Sequence, residues 1–231
     1  MKKKLAILTG AGMSAESGIS TFRDSNGLWN NYPVEKVATP EGLAANPQLV
    51  LDFYNQRRRE LLNAQPNDGH KGLAALEKDF DVYIITQNVD NLHERAGSSK
   101  IIHLHGEMMK SCPVNDLNKA YDISPDHPDI NVGDKDENGV QLRPFIVFFG
   151  EAVPMLEPAI KWVEACDIFV IIGSSLNVYP AAGLINYVRN GQPIYLIDPK
   201  EVRTSRSDIH VIRNVATEGV RQLTELLDAM K

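Results

Sequence analysis

Cysteine is scarce in this sequence: 231 residues hold two, Cys112 and Cys166. Two thiols make no disulfide framework and cannot supply a zinc site with four cysteine ligands. Long apolar runs are missing as well, and no window approaches the length that a membrane-spanning helix needs. The chain starts with three lysines, but the apolar run behind them, Leu5–Leu8, is too short for a signal-peptide core and meets a glycine loop at once. It reads as a buried first strand. An excess of positive charge is also absent, since 24 Lys and Arg face 30 Asp and Glu, a net charge of −6. That balance argues against a general electrostatic grip on nucleic acid and leaves only a local basic patch open. The expectation is a soluble cytoplasmic protein with neither nucleic acid nor membrane among its partners.

What is present is an ordinary globular mixture, 43% apolar and 23% charged. Short apolar runs end in glycine or polar loops: Leu5–Leu8, Val82–Thr86, Ile101–Leu104, Phe145–Phe149, Ile168–Ile172, Ile194–Ile197 and Ile209–Ile212. Runs this short and this rich in Ile and Val predict fully buried strands. Helical patterns fall between some of them, at Leu49–Asn63, Gly72–Lys78, Glu157–Ala165, Ala181–Arg189 and Gly219–Met230. Strands alternating with helices predict a doubly wound parallel (Rossmann-like) α/β sheet. Residues 28–65 are polar and helical with no strand. Residues 109–142 are rich in Pro, Asn, Asp and Gly, and seven acids face two lysines between Asn115 and Gly139. Both read as insertions that build a small second lobe, leaving 1–27, 66–108 and 143–231 as the main domain. A cleft between two lobes is a favoured ligand site.

Gly10-Ala11-Gly12-Met13-Ser14-Ala15 follows the first strand and is expected to open a helix. That is the setting of a dinucleotide fingerprint: one glycine for the tight turn, a second for close backbone approach to a pyrophosphate, and a helix N-terminus for the anion. A merely tight strand-to-helix turn is the alternative. A dehydrogenase would add an acid after a second strand roughly 20 residues on. Here the chain runs Ser17-Gly18-Ile19-Ser20-Thr21-Phe22-Arg23-Asp24, with no strand. This argues for a dinucleotide held by other means and against simple hydride transfer.

From Gly10 to Arg23 the sequence resembles the sirtuins, whose first signature, GAG-x-S-x-x-SGI-x-x-FR, is complete here. Thr86-Gln87-Asn88-Val89-Asp90-Asn91-Leu92-His93 matches their TQN-x-D-x-L-H motif, and Leu104-His105-Gly106 their LHG. The resemblance implies an NAD-dependent protein-lysine deacylase, with NAD consumed as a co-substrate and acylated-lysine proteins or peptides as partners. Gly10, Ala11, Gly12, Ser14, Ala15, Ile19, Phe22 and Arg23 would line the NAD site, Phe22 over the reactive ribose carbon and Arg23 by the phosphates. Read singly, Phe22 is a core aromatic and Arg23 a surface charge. Gln87 would contact the ribose, while Asn88 and Asp90 would read the donor and acceptor of the nicotinamide amide. A polar turn with a helix cap at Asp90 is the plainer alternative.

By the same resemblance His105 is the general base, a role suited to an imidazole near neutral pH. His103, two residues earlier, reads as a satisfied structural histidine. Val147, Phe149, Gly150, Glu151 and Val153 lie in or next to the family's V-x-F-G-E stretch, whose end pairs with the substrate peptide as an added strand. Gly173, Ser174 and Ser175 resemble the G-[TS]-S loop at phosphate and ribose. Asp198 stands where relatives often carry Asn, and Ala216 where a backbone contact to adenine is expected. In the implied reaction nicotinamide leaves and the acyl oxygen attacks the ribose carbon. His105 then takes a proton from a ribose hydroxyl, and an O-acyl-ADP-ribose and free lysine result.

Tyr54 and Arg57, three apart on a predicted helix, share a face. A phenol and a guanidinium together can hold a carboxylate. The alternative is a core tyrosine beside a solvated basic run, Arg57-Arg58-Arg59. The pair resembles that of sirtuins which remove succinyl and malonyl groups, with Ala38 as their small pocket residue. The sequence departs from most of the family in the small lobe, where Cys112 alone falls in the region of the zinc cysteines; no zinc is expected. Asp134–Gly139 imitates the start of a calcium loop, but the twelfth position is Phe145, so a surface turn is expected. Rival functions are mono-ADP-ribosyl transfer on the same scaffold, a non-catalytic NAD or ADP-ribose sensor and, more remotely, a dehydrogenase.

Overall fold

A computed structural model describes residues 2–20, 32–204 and 206–230. Its larger part is a six-stranded, wholly parallel sheet in the order β3-β2-β1-β7-β8-β9. The strands are β1 (Lys4–Thr9), β2 (Asp81–Thr86), β3 (Ile101–His103), β7 (Ile168–Ile172), β8 (Ile194–Ile197) and β9 (Ile209–Ile212). Each begins or ends within a residue or two of the run that predicted it. From β1 the chain builds outward through β2 and β3; from β7 it builds the other way through β8 and β9. The order therefore reverses between β1 and β7, where open α/β sheets place their ligand crevice.

Both faces of the sheet's centre are covered, which is why β1, β7 and β8 carry unbroken apolar runs, while the edge strand β9 leaves His210 and Val211 exposed. Leu5 and Ile7 of β1 point to one face with Val170, Ile172 and Ile197, against α4 (Asp68–Ala75) and α7 (Ala216–Asp228). Ala6 and Leu8 point to the other with Phe169, Ile171 and Leu196, against α6 (Leu156–Ala165) and a 3-10 stretch at Ala181–Tyr187. The pattern at Ala181–Arg189 thus gives tight 3-10 turns instead of an α-helix.

The second lobe has its own antiparallel sheet, ordered β5-β4-β6, from β4 (Gly106–Pro113), β5 (Tyr121–Asp122) and β6 (Leu142–Ile146). The run Phe145–Phe149 was expected as one more buried strand. The strand instead starts earlier and stops at Ile146. Residues 147–149 leave it because their amides are drawn elsewhere: Val147 N donates to His105 O at 3.0 Å and Phe149 N to Ala38 O at 2.9 Å. Helices α1 (Val34–Val37), α2 (Pro40–Ala45) and α3 (Pro47–Asn63) pack beside this sheet. Asn46 starts α3: its side-chain oxygen accepts from Leu49 N at 3.1 Å, with Pro47 in the first turn. Val50, Phe53, Tyr54 and Leu61 of α3 close a third apolar cluster with Val37, Met108, Ile146 and Phe148.

Residues 114–141 carry little apolar surface and are tied down by polar bonds. Arg58 of α3 is fully buried; its Nε donates to Met108 O at 2.7 Å and its Nη1 to Pro128 O and Asn55 Oδ1 at 2.6 and 2.8 Å. Asn55 completes the clasp by bonding both the amide and the carbonyl of Ile130. At the imitation calcium loop the Asp136 carboxylate accepts from the amides of Asn138 and Val140, closing an ordinary surface turn. Among the described residues no group of three or more His, Cys, Asp or Glu is placed to hold a metal ion, and no helix is long and apolar enough to cross a membrane.

Candidate active site

A cavity of about 480 Å³ opens at the carboxyl ends of β1, β2 and β7 and runs beneath the second lobe. Its floor is two interlocked loops. The Gly10 amide donates to Ile172 O and the Gly12 amide to Gly173 O, each at 2.9 Å. A Cβ on Gly12 would lie 2.6 Å from Gly173 Cα, and one on Gly173, whose φ is +61°, 2.4 Å from Met13 N. Gly10 has φ −125°, which any residue adopts. It must be glycine because a Cβ there would meet Gly173 O at 2.8 Å. The glycines therefore serve contact between two loops of the chain, a demand that turn geometry alone did not reveal. The expected helix after them is also absent. Two single 3-10 turns, Ala11–Met13 and Ala15–Ser17, follow, and the amides of Gly10, Gly12, Met13 and Ser14 are already bonded within the protein.

On this floor Ala11, Ala15, Gly173, Ser174 and Ser175 offer nothing longer than a hydroxymethyl group, and Gln87 Nε2 donates to Ser174 Oγ at 2.9 Å. At the β8 end the Asp198 carboxylate reaches the cavity while accepting from Lys200 N at 2.8 Å. A shallow, bare channel with an acceptor at its far end suits a long dinucleotide. Phe22 and Arg23 lie outside the described residues. Of the other residues named for the cofactor, Ser14, Ile19, Asp90 and Ala216 do not line the cavity. Ser14 and Asp90 sit just behind its wall: Asn88 Nδ2 donates to Gly10 O at 3.0 Å and to Ser14 Oγ at 3.2 Å, and Ser14 Oγ donates to Asp90 Oδ2 at 2.8 Å. Asp90 Oδ1 also accepts from Leu92 N at the start of α5 (Leu92–Ala96), the helix-start bond of the plainer alternative. Burial raises the Asp90 pKa, against the pull of Ser14 and Leu92. Ala216 opens α7, and its neighbour Val215 faces the cavity in its place.

His105 reaches the cavity from the link between β3 and β4. Its Nδ1 is 3.0 Å from Gln87 O. A carbonyl only accepts, so Nδ1 carries the proton and Nε2 is the acceptor. Burial pushes the His105 pKa below its usual value, with the Gln87 bond pulling the other way, so the ring is neutral at neutral pH. A neutral imidazole of fixed tautomer has a free acceptor nitrogen, the chemistry that a general base requires.

The cavity extends to α3. Ala38, Tyr54 and Arg57 line this end with Met108, Ile146 and Phe148. Tyr54 is 3% exposed and stacks on Phe148 at 5.8 Å, and burial raises its pKa. Burial lowers that of Arg57. Val147, Phe149, Gly150, Glu151 and Val153 line the entrance. Glu151 is anchored there: its carboxylate takes Arg143 Nη2 at 2.8 and 2.9 Å and the Phe148 amide at 2.7 Å. Arg143 is buried, and its guanidinium lies 4.5 Å from the centre of the Phe148 ring. Sequence reading passed over Phe148, Met108 and Arg143. Phe148 was hidden inside one apolar run, and a buried arginine leaves no local signal.

A parallel sheet with a cleft at its switch point, a second lobe above it and a neutral histidine inside defines a nucleotide-binding α/β protein equipped for proton transfer. The sequence profile of the Sir2 family matches residues 10–180. A protein of Bacteroides thetaiotaomicron named NAD-dependent protein deacylase is 62% identical over 230 residues, covering 97% of this chain and 98% of its own. A solved Sir2 homolog–NAD complex superposes with TM-score 0.87 at 39% identity, covering 99% of this chain and 91% of its own. A Sir2 structure bound to acetylated peptide does so with TM-score 0.81 at 30% identity, over 97% and 93%. The chain belongs to the Sir2 (sirtuin) family.

Proposed function

We propose that this protein is an NAD-dependent protein-lysine deacylase that transfers the acyl group to ADP-ribose, releasing nicotinamide and free lysine. The observation that carries the proposal is His105, a neutral imidazole of fixed tautomer lining a cavity of about 480 Å³ that runs from the glycine loops to Tyr54 and Arg57. NAD supplies a ribose carbon that becomes electrophilic as nicotinamide departs. Ala11, Ala15, Gly173, Ser174, Ser175 and Asp198 hold the dinucleotide along the floor. Gly10, Gly12, Ser14, Ile19 and Ala216 are assigned to the same site, and the family signature assigns Phe22 and Arg23 to it as well. Gln87 orients a ribose hydroxyl through its bond to Ser174. Asn88, backed by Ser14 and Asp90, holds the nicotinamide end. His105 Nε2 takes a ribose hydroxyl proton during acyl transfer. Val147, Phe149, Gly150, Glu151 and Val153 receive the peptide, with Glu151 fixed by Arg143 so that the entrance keeps its shape.

The acyl end takes succinyl and malonyl groups as well as acetyl. Supporting this, the small Ala38 lines the cavity with Tyr54 and Arg57, and a phenol with a guanidinium at one end of a cavity suits a terminal carboxylate. The protein works in the cytoplasm, without zinc, nucleic acid or membrane. The Arg58–Asn55 clasp supports a lobe that folds without a metal. Residues 28–65 and 109–142 form that lobe, and 1–27, 66–108 and 143–231 the main domain, with β4 and β6 running across the junction.

The test uses purified protein, NAD, and paired acetyl-lysine and succinyl-lysine peptides, following peptide mass and nicotinamide release. Turnover lost in His105→Ala supports the deacylase, and succinyl removal lost selectively in Arg57→Ala supports the acidic acyl pocket. Acetyl removal alone returns Tyr54 and Arg57 to structural duty. NAD binding with no turnover of either peptide overturns the deacylase in favour of a sensor.

A further inference from the structure

The segment after β2 is irregular, so its carbonyls need partners from elsewhere. Three in succession find them on the stretch leading from β3 into β4. Gln87 O takes His105 Nδ1 at 3.0 Å, Asn88 O takes His103 Nδ1 at 3.2 Å, and Val89 O takes the Met108 amide at 2.7 Å. His103 differs from His105 in what lies behind it. Its Nε2 is 2.6 Å from Glu94 Oε1 of α5, and its side chain is 9% exposed.

Both partners of the His103 ring, a carbonyl and a carboxylate, can only accept. A neutral imidazole carries one N–H, so two such bonds require the imidazolium. The charges around it agree. Burial opposes a charge on His103, but Glu94 and then Glu107 outweigh it, and the net shift is upward. Glu94 is correspondingly held below its usual range despite burial. Lys110 pairs with Glu107 on β4, and His93 and Asp90 complete the surroundings. The Asn88 carbonyl, at 3.2 Å, thus receives its bond from a charged ring, where the Gln87 carbonyl, at 3.0 Å, takes one from a neutral ring.

We propose that His103, held charged by Glu94, is a positioning residue for the nicotinamide end of the site. It fixes the Asn88 peptide and helps keep the buried Asp90 ionised. The inference rests on the reading above in one respect, that Asn88 and Asp90 serve that end of NAD. His103 touches neither substrate. Its charge is present on the acid side of its raised pKa and is lost as pH climbs through that pKa, so NAD affinity falls on the alkaline side.

The test compares wild type, His103→Asn and Glu94→Gln. His103→Asn keeps one N–H near the Nδ1 position for Asn88 O without charge. Glu94→Gln leaves a neutral His103 that still donates from Nδ1, so geometry survives while charge does not. NAD and nicotinamide binding are measured by calorimetry from pH 6 to 9, with circular dichroism and steady-state kinetics on an acetyl-lysine peptide alongside. Both variants are expected to fold and to bind NAD and nicotinamide about tenfold more weakly at pH 7, the difference between a charged and a neutral bond. Peptide KM stays unchanged, and the alkaline fall in affinity moves to lower pH in Glu94→Gln. Unchanged NAD and nicotinamide affinity in both variants overturns the proposal. So does an equal loss toward NAD and peptide with a lowered melting temperature, the mark of a purely structural pair. If wild type binds NAD but turns over no peptide, the deacylase reading falls, while the calorimetry still decides His103.

Discussion

The main sheet and the 114–141 stretch of the second lobe, unlike the apolar cluster that α3 closes in that same lobe, are held by different physics. In the main domain Leu5, Ala6, Ile7 and Leu8 of β1 are all fully buried between layers, and stability comes from apolar area on both faces of one sheet. In the second lobe a buried arginine, an asparagine and a few carbonyls hold residues 128–130 to α3. Apolar burial is spread over many side chains and tolerates small changes. A polar clasp concentrates its effect in one group, whose loss strands several partners at once.

The sharpest test of where the lobes cooperate is His105, which stands between them. His105→Ala should lower deacylation about 10²- to 10⁴-fold with the melting temperature unchanged, as kinetics and calorimetry on the same samples will show. Within the main domain Ile171→Ala should remove about 2–5 kcal/mol and lower a single melting transition of the whole chain. Arg58→Met should remove about 3 kcal/mol in a different manner. Amide exchange across 109–142 should quicken while β1 and β7 stay protected. Equal loss of protection in β7 would break the comparison.

Acid should weaken the main domain through its buried histidines. His70 packs against His93 beneath the main sheet, and burial lowers the His70 pKa to about 4 and takes that of His93 well below its usual value. Both bind protons more readily unfolded, so their contribution is complete above about pH 6.5 and fades as pH falls. By pH 5 the loss from His70 alone is about 2 kcal/mol, read as a lower urea midpoint. His103, shifted upward, opposes this and loses its contribution on the alkaline side.

Much of this was legible beforehand. Six of the seven apolar runs are strands of the main sheet. Burial on both faces writes itself as an unbroken run in β1, β7 and β8. The edge strands β3 and β9, expected to be fully buried, are only partly so because each has a neighbour on one side alone. The seventh misled because Phe145–Phe149 spans the end of one strand and the cavity wall beyond it. The triplet Arg57-Arg58-Arg59 shows the limit most clearly. Successive residues on a helix point about 100° apart. Arg57 therefore lines the cavity, Arg58 is buried, and Arg59 meets Asp129 at the surface at 2.6 Å. One charge run holds three fates, and only the position of the second lobe separates them. The close approach of Gly12 to Gly173 was hidden for the same reason, being a contact between residues far apart in the chain.

That approach bears on how inhibitors of such a cleft would age. A compound gripping Ala38, Tyr54 or Arg57 can be escaped by exchanging a side chain. One that rests on the interlocked floor touches main chain at Gly10, Gly12 and Gly173, where any added carbon collides with the neighbouring loop. Resistance at the floor would have to break the fold before it reached the drug.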